Sequence, residues 1–181
     1  MIFTPVIYIE NKRYTLKSGV RNIWDYATFN NKKIEIHNLS CSGCKKVSAA
    51  ILIDPQGRIL IARRNYGKHK GVWEFPGGKL EGKENPDIAI IREIKEELDI
   101  DANYPLLFDI SMQGKIVLYS FFLKLTKKDI SSTDHDKTKL LYPHEIYRYP
   151  LLELDKKVTD HIMEIIKEGY DIKWKHAEDR T

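Results

Sequence analysis

The chain has 181 residues, 42% of them hydrophobic, which is enough for one domain with a substantial core and a modest extension. Its 30 basic and 26 acidic residues leave a net charge of +4 spread along the chain, without the basic stripe of a duplex nucleic-acid binder; anionic small molecules are favoured only weakly. No apolar run approaches a membrane span, and Met1-Ile2-Phe3-Thr4-Pro5 lacks the basic region and cleavage site of a signal peptide, so a cytoplasmic protein with no membrane partner is expected.

Residues 1–44 read as a small β-rich N-terminal extension. Val6-Ile7-Tyr8-Ile9 and Arg13-Tyr14-Thr15-Leu16 flank Glu10-Asn11-Lys12 as a hairpin, and Ile34-Glu35-Ile36 is a further short apolar stretch. The extension has two readings: it packs against the main domain or a second subunit, giving a homodimer, or it acts as a lid or specificity element. Cys41 and Cys44 are the only cysteines and are read as reduced thiols in a connecting segment. Cys-x-x-Cys alone supplies half of a structural zinc site, which leaves a zinc or redox role as the alternative.

The main domain is expected over residues 45–170, followed by a polar tail at 171–181. Val47 to Ile53 and Arg58 to Ala62 are strand-like runs around the turn Asp54-Pro55-Gln56-Gly57. A basic loop, Arg63 to Lys70, leads to Trp73-Glu74-Phe75-Pro76-Gly77-Gly78, where adjacent glycines let a ligand approach the backbone. Asn85, Pro86 and Asp87 mark a helix start, and the helix runs to about Leu98. Ile91, Ile94 and Leu98 form its core face, with Ile88 and Ile90 extending it. Leu106 to Ile110 and Ile116 to Leu125 are further strands, and Val158, Ile162, Ile165 and Ile166 mark a final amphipathic helix. This order suggests an α/β or α+β sandwich.

Glu93, Glu96 and Glu97 stand at i, i+3 and i+4 on a different helix face from the core residues. Their repulsion is relieved by a bound cation or by basic neighbours, and hard carboxylate oxygens suit Mg²⁺ or Mn²⁺. A solvated acidic face is the bland alternative.

Gly78, Glu84, Arg92, Glu93, Ile94, Glu96, Glu97 and Ile100 have the spacing of the Nudix box, and Trp73-Glu74-Phe75-Pro76-Gly77-Gly78-Lys79-Leu80-Glu81 resembles the equivalent loop of MutT-type nucleoside triphosphate pyrophosphohydrolases. The departure is Asp99, where the family usually has glycine; Asp also tolerates a left-handed helix end. The resemblance covers roughly Val47 to Ile166. It implies a Nudix α/β/α sandwich with a mixed sheet and a loop-helix-loop box. It makes Glu93, Glu96 and Glu97 the metal ligands, with Gly77 and Gly78 giving backbone near the metal or phosphates and Arg92 pairing with Glu84 to fix the helix. Arg63, Arg64 and Lys79 are further substrate-binding candidates, Arg64 for charge on the phosphoryl oxygens; surface charge is the alternative for each arginine.

Asp155, in Pro150-Leu151-Leu152-Glu153-Leu154-Asp155, resembles the residue that contacts the purine edge, or is the N-cap of the last helix. Phe75 and Val47 line the base pocket or belong to the core. The family's downstream carboxylate has no clean counterpart; Asp134 and Asp136 are the candidates. The implied reaction is metal-dependent cleavage of a (deoxy)nucleoside triphosphate, such as 8-oxo-dGTP, to a monophosphate and pyrophosphate. ADP-ribose or a dinucleotide as substrate, and an inactive binding module, are the alternatives.

Overall fold

The computed structural model describes residues 6–9, 12–15, 43–127 and 129–173. β1 (Val6–Ile9) and β2 (Lys12–Thr15) pair antiparallel as the expected hairpin, its second strand starting one residue early. Ile34-Glu35-Ile36, Cys41 and the tail beyond Lys173 lie outside the described residues. Cys44 is disulfide-bonded, which corrects the reduced-thiol reading. A sulfur bound in a disulfide is also no thiolate for zinc.

β3 (Lys45–Ile53) and β4 (Ile59–Arg64) meet at a turn organised by Asp54, whose carboxylate accepts from the backbone N–H groups of Gln56 and Arg58 at 3.0 and 2.8 Å. Their pairing is confined to Ile53 and Ile59, because each strand has other neighbours. The first half of β3 pairs with β6 (Gly77–Lys79), matching Val47 to Lys79 and Ala49 to Gly77. β4 takes β5 (Trp73–Glu74) on one side and β9 (His135–Leu141) on the other. β8 (Ile116–Lys124) runs parallel to β3 along its length, and β7 (Leu106–Gln113) is antiparallel to β8. The result is a mixed seven-stranded sheet.

α1 (Pro86–Leu98) covers one face, setting Ile90, Ile94 and Leu98 against Ala50, Leu52, Tyr119 and Phe121. α2 (Glu153–Lys167) covers the other, setting Val158, Ile162 and Ile165 against Ile51, Ile53, Phe108 and Phe122. Both faces of β3 are buried, which is why its sequence is a continuous apolar run. The architecture is the α/β/α sandwich expected. Two details of α1 differ: Ile88 is 53% exposed and Ile91 is only partly buried. Two residues along a helix turn the side chain by about 200°, so Ile88 cannot share the face of Ile90, and the stripe is Ile90, Ile94 and Leu98. The helix ends as expected at Asp99, with φ 50° and ψ 44°; the Asp99 N–H donates to the Lys95 carbonyl at 3.0 Å and the Ile100 N–H to the Ile94 carbonyl at 3.4 Å.

Candidate active site

α1 carries Glu93 and Glu97 one turn apart on the flank that meets β6. The Gly77 N–H donates to Glu97 Oε2 at 3.2 Å. Gly77 has φ +150°, and a Cβ there would strike the Ser48 carbonyl across the strand pairing, so only glycine brings this N–H to the helix. A Cβ on Gly78 would occupy the space of the Glu93 carboxylate. Gly78→Ala is therefore expected to displace Glu93 and cut turnover by about 100-fold while the circular dichroism of the fold is retained; unaltered kinetics would show that the contact is incidental.

Arg92 organises the box. Its Nη2 donates to Glu84 Oε1 at 2.6 Å and to the Lys79 carbonyl at 3.2 Å, and its Nη1 donates to Glu93 at 3.0 Å and Glu96 at 3.2 Å. Hydrogen bonding to Arg92 holds the Glu84 carboxyl below its ordinary pKa. Glu96 is the most exposed of the three helix glutamates, its side chain 59% exposed, and it shares Arg92 Nη1 with Glu93. Among the described residues no three His, Cys, Asp or Glu side chains converge as a closed ligand set.

Strand alternation separates the two candidate arginines. Arg63 pairs with Asp136, at a β-bulge where β9 shifts register against β4. Arg64 points to the α1 face, where its Nη1 donates to Glu74 Oε2 at 2.6 Å and its guanidinium lies 5.3 Å from the Tyr66 ring centre. Asp136 is thus engaged by Arg63. Asp134 is the carboxylate near the box: Tyr66 donates to it at 3.4 Å, and its charge helps raise the pKa of Glu97. The same loop donates Thr133 N–H to the Glu97 main-chain carbonyl at 3.1 Å.

Sequence reasoning passed over Glu74 and His135. Glu74 lies beside Ala62 on β5 and His135 beside Arg64 on β9, so they flank the end of β4 and meet, Oε1 to Nε2, at 3.1 Å. Nothing in a polar stretch such as Asp134-His135-Asp136-Lys137 marks this histidine; the strand pairing does.

Asp155 is in the first turn of α2, whose N-cap is Leu152, so the N-cap reading is corrected. Its Oδ1 accepts the Phe75 N–H at 2.7 Å, clamping α2 to the loop before Gly77. Phe75 and Val47 both pack into the core on the α2 side. Lys79 is exposed on β6 and opens onto a cavity of about 820 Å³ lined also by Lys45, Lys46, Lys83 and Glu84.

Burial first, then the charges of Glu93, Asp134 and Glu74, push the Glu97 carboxyl up to about 8. Glu93 is raised chiefly by burial. A buried and a part-buried carboxylate that both resist ionisation form a site that gains by taking a cation, and their oxygens are the hard donors a divalent ion takes. The residues fit such an ion.

The NUDIX domain family model matches residues 45–162. The chain belongs to the Nudix family. It is 38% identical over 81 residues to an 8-oxo-dGTP diphosphatase of Proteus vulgaris, covering 42% of this chain and 72% of that protein. It is 30% identical over 119 residues to a CTP pyrophosphohydrolase of Escherichia coli K12, covering 63% and 88%. Among solved structures, a MutT from work on Aliivibrio salmonicida and Vibrio cholerae superposes with a TM-score of 0.59 at 22% identity, covering 67% of this chain and 98% of that one. The solution structure of the E. coli ORF135 protein gives 0.55 at 26%, covering 69% and 92%. The chain is a MutT-type Nudix hydrolase, an enzyme acting on phosphoric anhydride bonds of nucleotides. Nudix hydrolases generally depend on a divalent metal. No helix among the described residues is long and apolar enough to cross a membrane.

Proposed function

We propose that the enzyme is cytoplasmic and cleaves a (deoxy)nucleoside triphosphate, an oxidised purine such as 8-oxo-dGTP among the candidates, to the monophosphate and pyrophosphate. The observation that carries the reading is the convergence of Glu93, Glu97 and the Gly77 N–H with Arg64 on one side of the sheet. Glu93, Glu96, Glu97 and the Gly78 backbone would hold Mg²⁺, or Mn²⁺ in its place, which supplies charge screening at the diphosphate and a lowered pKa for water. Arg64, always charged, neutralises negative charge gathering on the phosphoryl oxygens. Lys79 does the same from β6, while Arg92 and Glu84 keep the helix and its preceding loop in register. Asp134 is the remaining carboxylate placed to orient water beside Glu97. Asp155 and the Phe75 loop meet the base, with Val47 along the same wall.

Support for a triphosphate comes from the relatives named 8-oxo-dGTP diphosphatase and CTP pyrophosphohydrolase. The lysine-lined cavity favours a second reading, a diphosphate linked to a further group such as ADP-ribose or a dinucleoside polyphosphate. A Mg²⁺-dependent product assay across ordinary and oxidised triphosphates, ADP-ribose and dinucleoside polyphosphates separates the two. Monophosphate plus pyrophosphate from one triphosphate is expected; cleavage of a linked diphosphate with every triphosphate inert would replace the first reading by the second.

A further inference from the structure

We propose that His135 is a positioning residue that fixes Arg64 for catalysis by way of Glu74, an inference that rests on Arg64 meeting the phosphate chain. Three hydrogen bonds make the link. Ser132 Oγ and His135 Nδ1 are 2.9 Å apart, His135 Nε2 is 3.1 Å from Glu74 Oε1, and Arg64 Nη1 donates to Glu74 Oε2 at 2.6 Å. The Glu74 carboxylate only accepts, so Nε2 carries a proton; Nδ1 faces the Ser132 hydroxyl, whose oxygen also accepts the His135 backbone N–H at 3.2 Å. The imidazole is nearly sealed, 3% exposed against 11% for Glu74 and 27% for Arg64, so order increases away from solvent and the arginine is the end that reaches it.

The chain matters because an arginine side chain has large rotamer freedom, and one carboxylate oxygen holding one nitrogen leaves the carboxylate itself free to turn. His135 occupies the second oxygen and removes that freedom. It also ties together the segments that converge on the box. Glu74 precedes Gly77, the donor to Glu97, by three residues, and Ser132 opens the loop that carries Asp134 and the Thr133 N–H. Ala62, fully buried and paired with Glu74, is small enough for the histidine and glutamate to meet across β4.

The test is a double-mutant cycle on the purified full chain with Mg²⁺ and a triphosphate that it turns over, comparing His135→Ala, Arg64→Ala and the pair. Misplacing one reacting contact costs about 10- to 100-fold, so His135→Ala is expected to lower kcat in that range with KM changed less than about threefold. Because the two residues act as one unit, adding His135→Ala to Arg64→Ala should cost less than about twofold more. His135→Gln, which keeps an N–H for Glu74, should recover most of the loss. Where His135→Ala does not fold by circular dichroism, Ser132→Ala replaces it, with a smaller loss of kcat that must likewise vanish beside Arg64→Ala. Undiminished kcat in the single variant, or a full loss added to Arg64→Ala, overturns the positioning role alone. Wild-type turnover in Arg64→Ala overturns the phosphate reading and the proposal with it.

Discussion

Glu97→Gln should lower Mg²⁺-dependent kcat by about 1,000-fold or more, since metal-assisted charge stabilisation is worth several kcal/mol and each ~1.4 kcal/mol is tenfold. The substitution is close to isosteric, and the amide oxygen can still accept the Gly77 N–H that now reaches Glu97 at 3.2 Å. What disappears is the capacity to ionise toward a cation. Burial beside Glu93, Asp134 and Glu74 makes ionisation unfavourable in the metal-free protein, so the metal-free variant should melt at the same temperature as the parent or higher. Mg²⁺ should raise the melting temperature of the parent and leave the variant nearly unmoved. The pairing of lost turnover with undiminished stability separates a ligand from a structural glutamate. Parental turnover in Glu97→Gln would sink the ligand assignment, whereas a fall in both activity and metal-free melting temperature would point to a structural role.

The parts of this fold that were legible in the sequence are those whose cause is local. Asn85-Pro86 and Asp99 bracket α1 because backbone preferences at helix ends act within a few residues. The unbroken apolar runs of β3 and β8 announce strands covered on both faces. β9 was not legible: His135-Asp136-Lys137-Thr138-Lys139-Leu140-Leu141 has little apolar alternation, and only Leu141, Leu140 and the pairing with β4 place it in the sheet. The split of Arg63 and Arg64 between opposite faces follows from strand geometry, but Asp136 as partner of one and Glu74 as partner of the other depends on a bulge and a two-residue strand. Glu97 illustrates the same limit. Its spacing on the helix is visible in the chain, while its burial arises from loops at Gly77 and Thr133, 20 residues before it and 36 after.

Asp155→Asn should flatten the pH dependence of stability between about pH 4 and pH 7 and make the protein more stable than the parent at pH 8. Asp155 is buried, and burial raises its carboxyl from 3.8 to about 7, the Phe75 N–H opposing the shift and Glu74 adding to it. The folded-state pKa thus lies above the unfolded one. Its contribution to stability is fully present below pH 3.8, where both states hold the proton, and is lost as pH rises through about 7, where the folded state must ionise in an apolar setting. A shift of this size corresponds to stability on the order of a few kcal/mol. Asparagine keeps a carbonyl for the Phe75 N–H, which Asp155 now binds at 2.7 Å, and cannot ionise. Urea unfolding at pH 5 and pH 8 without metal reads the difference: the parent should lose stability between the two relative to the variant. If the variant is instead weaker at pH 8, the ionised carboxylate is held by more than the Phe75 N–H, and Asp155 would be better understood as a charged clamp between α2 and the glycine loop than as a neutral group that meets a base.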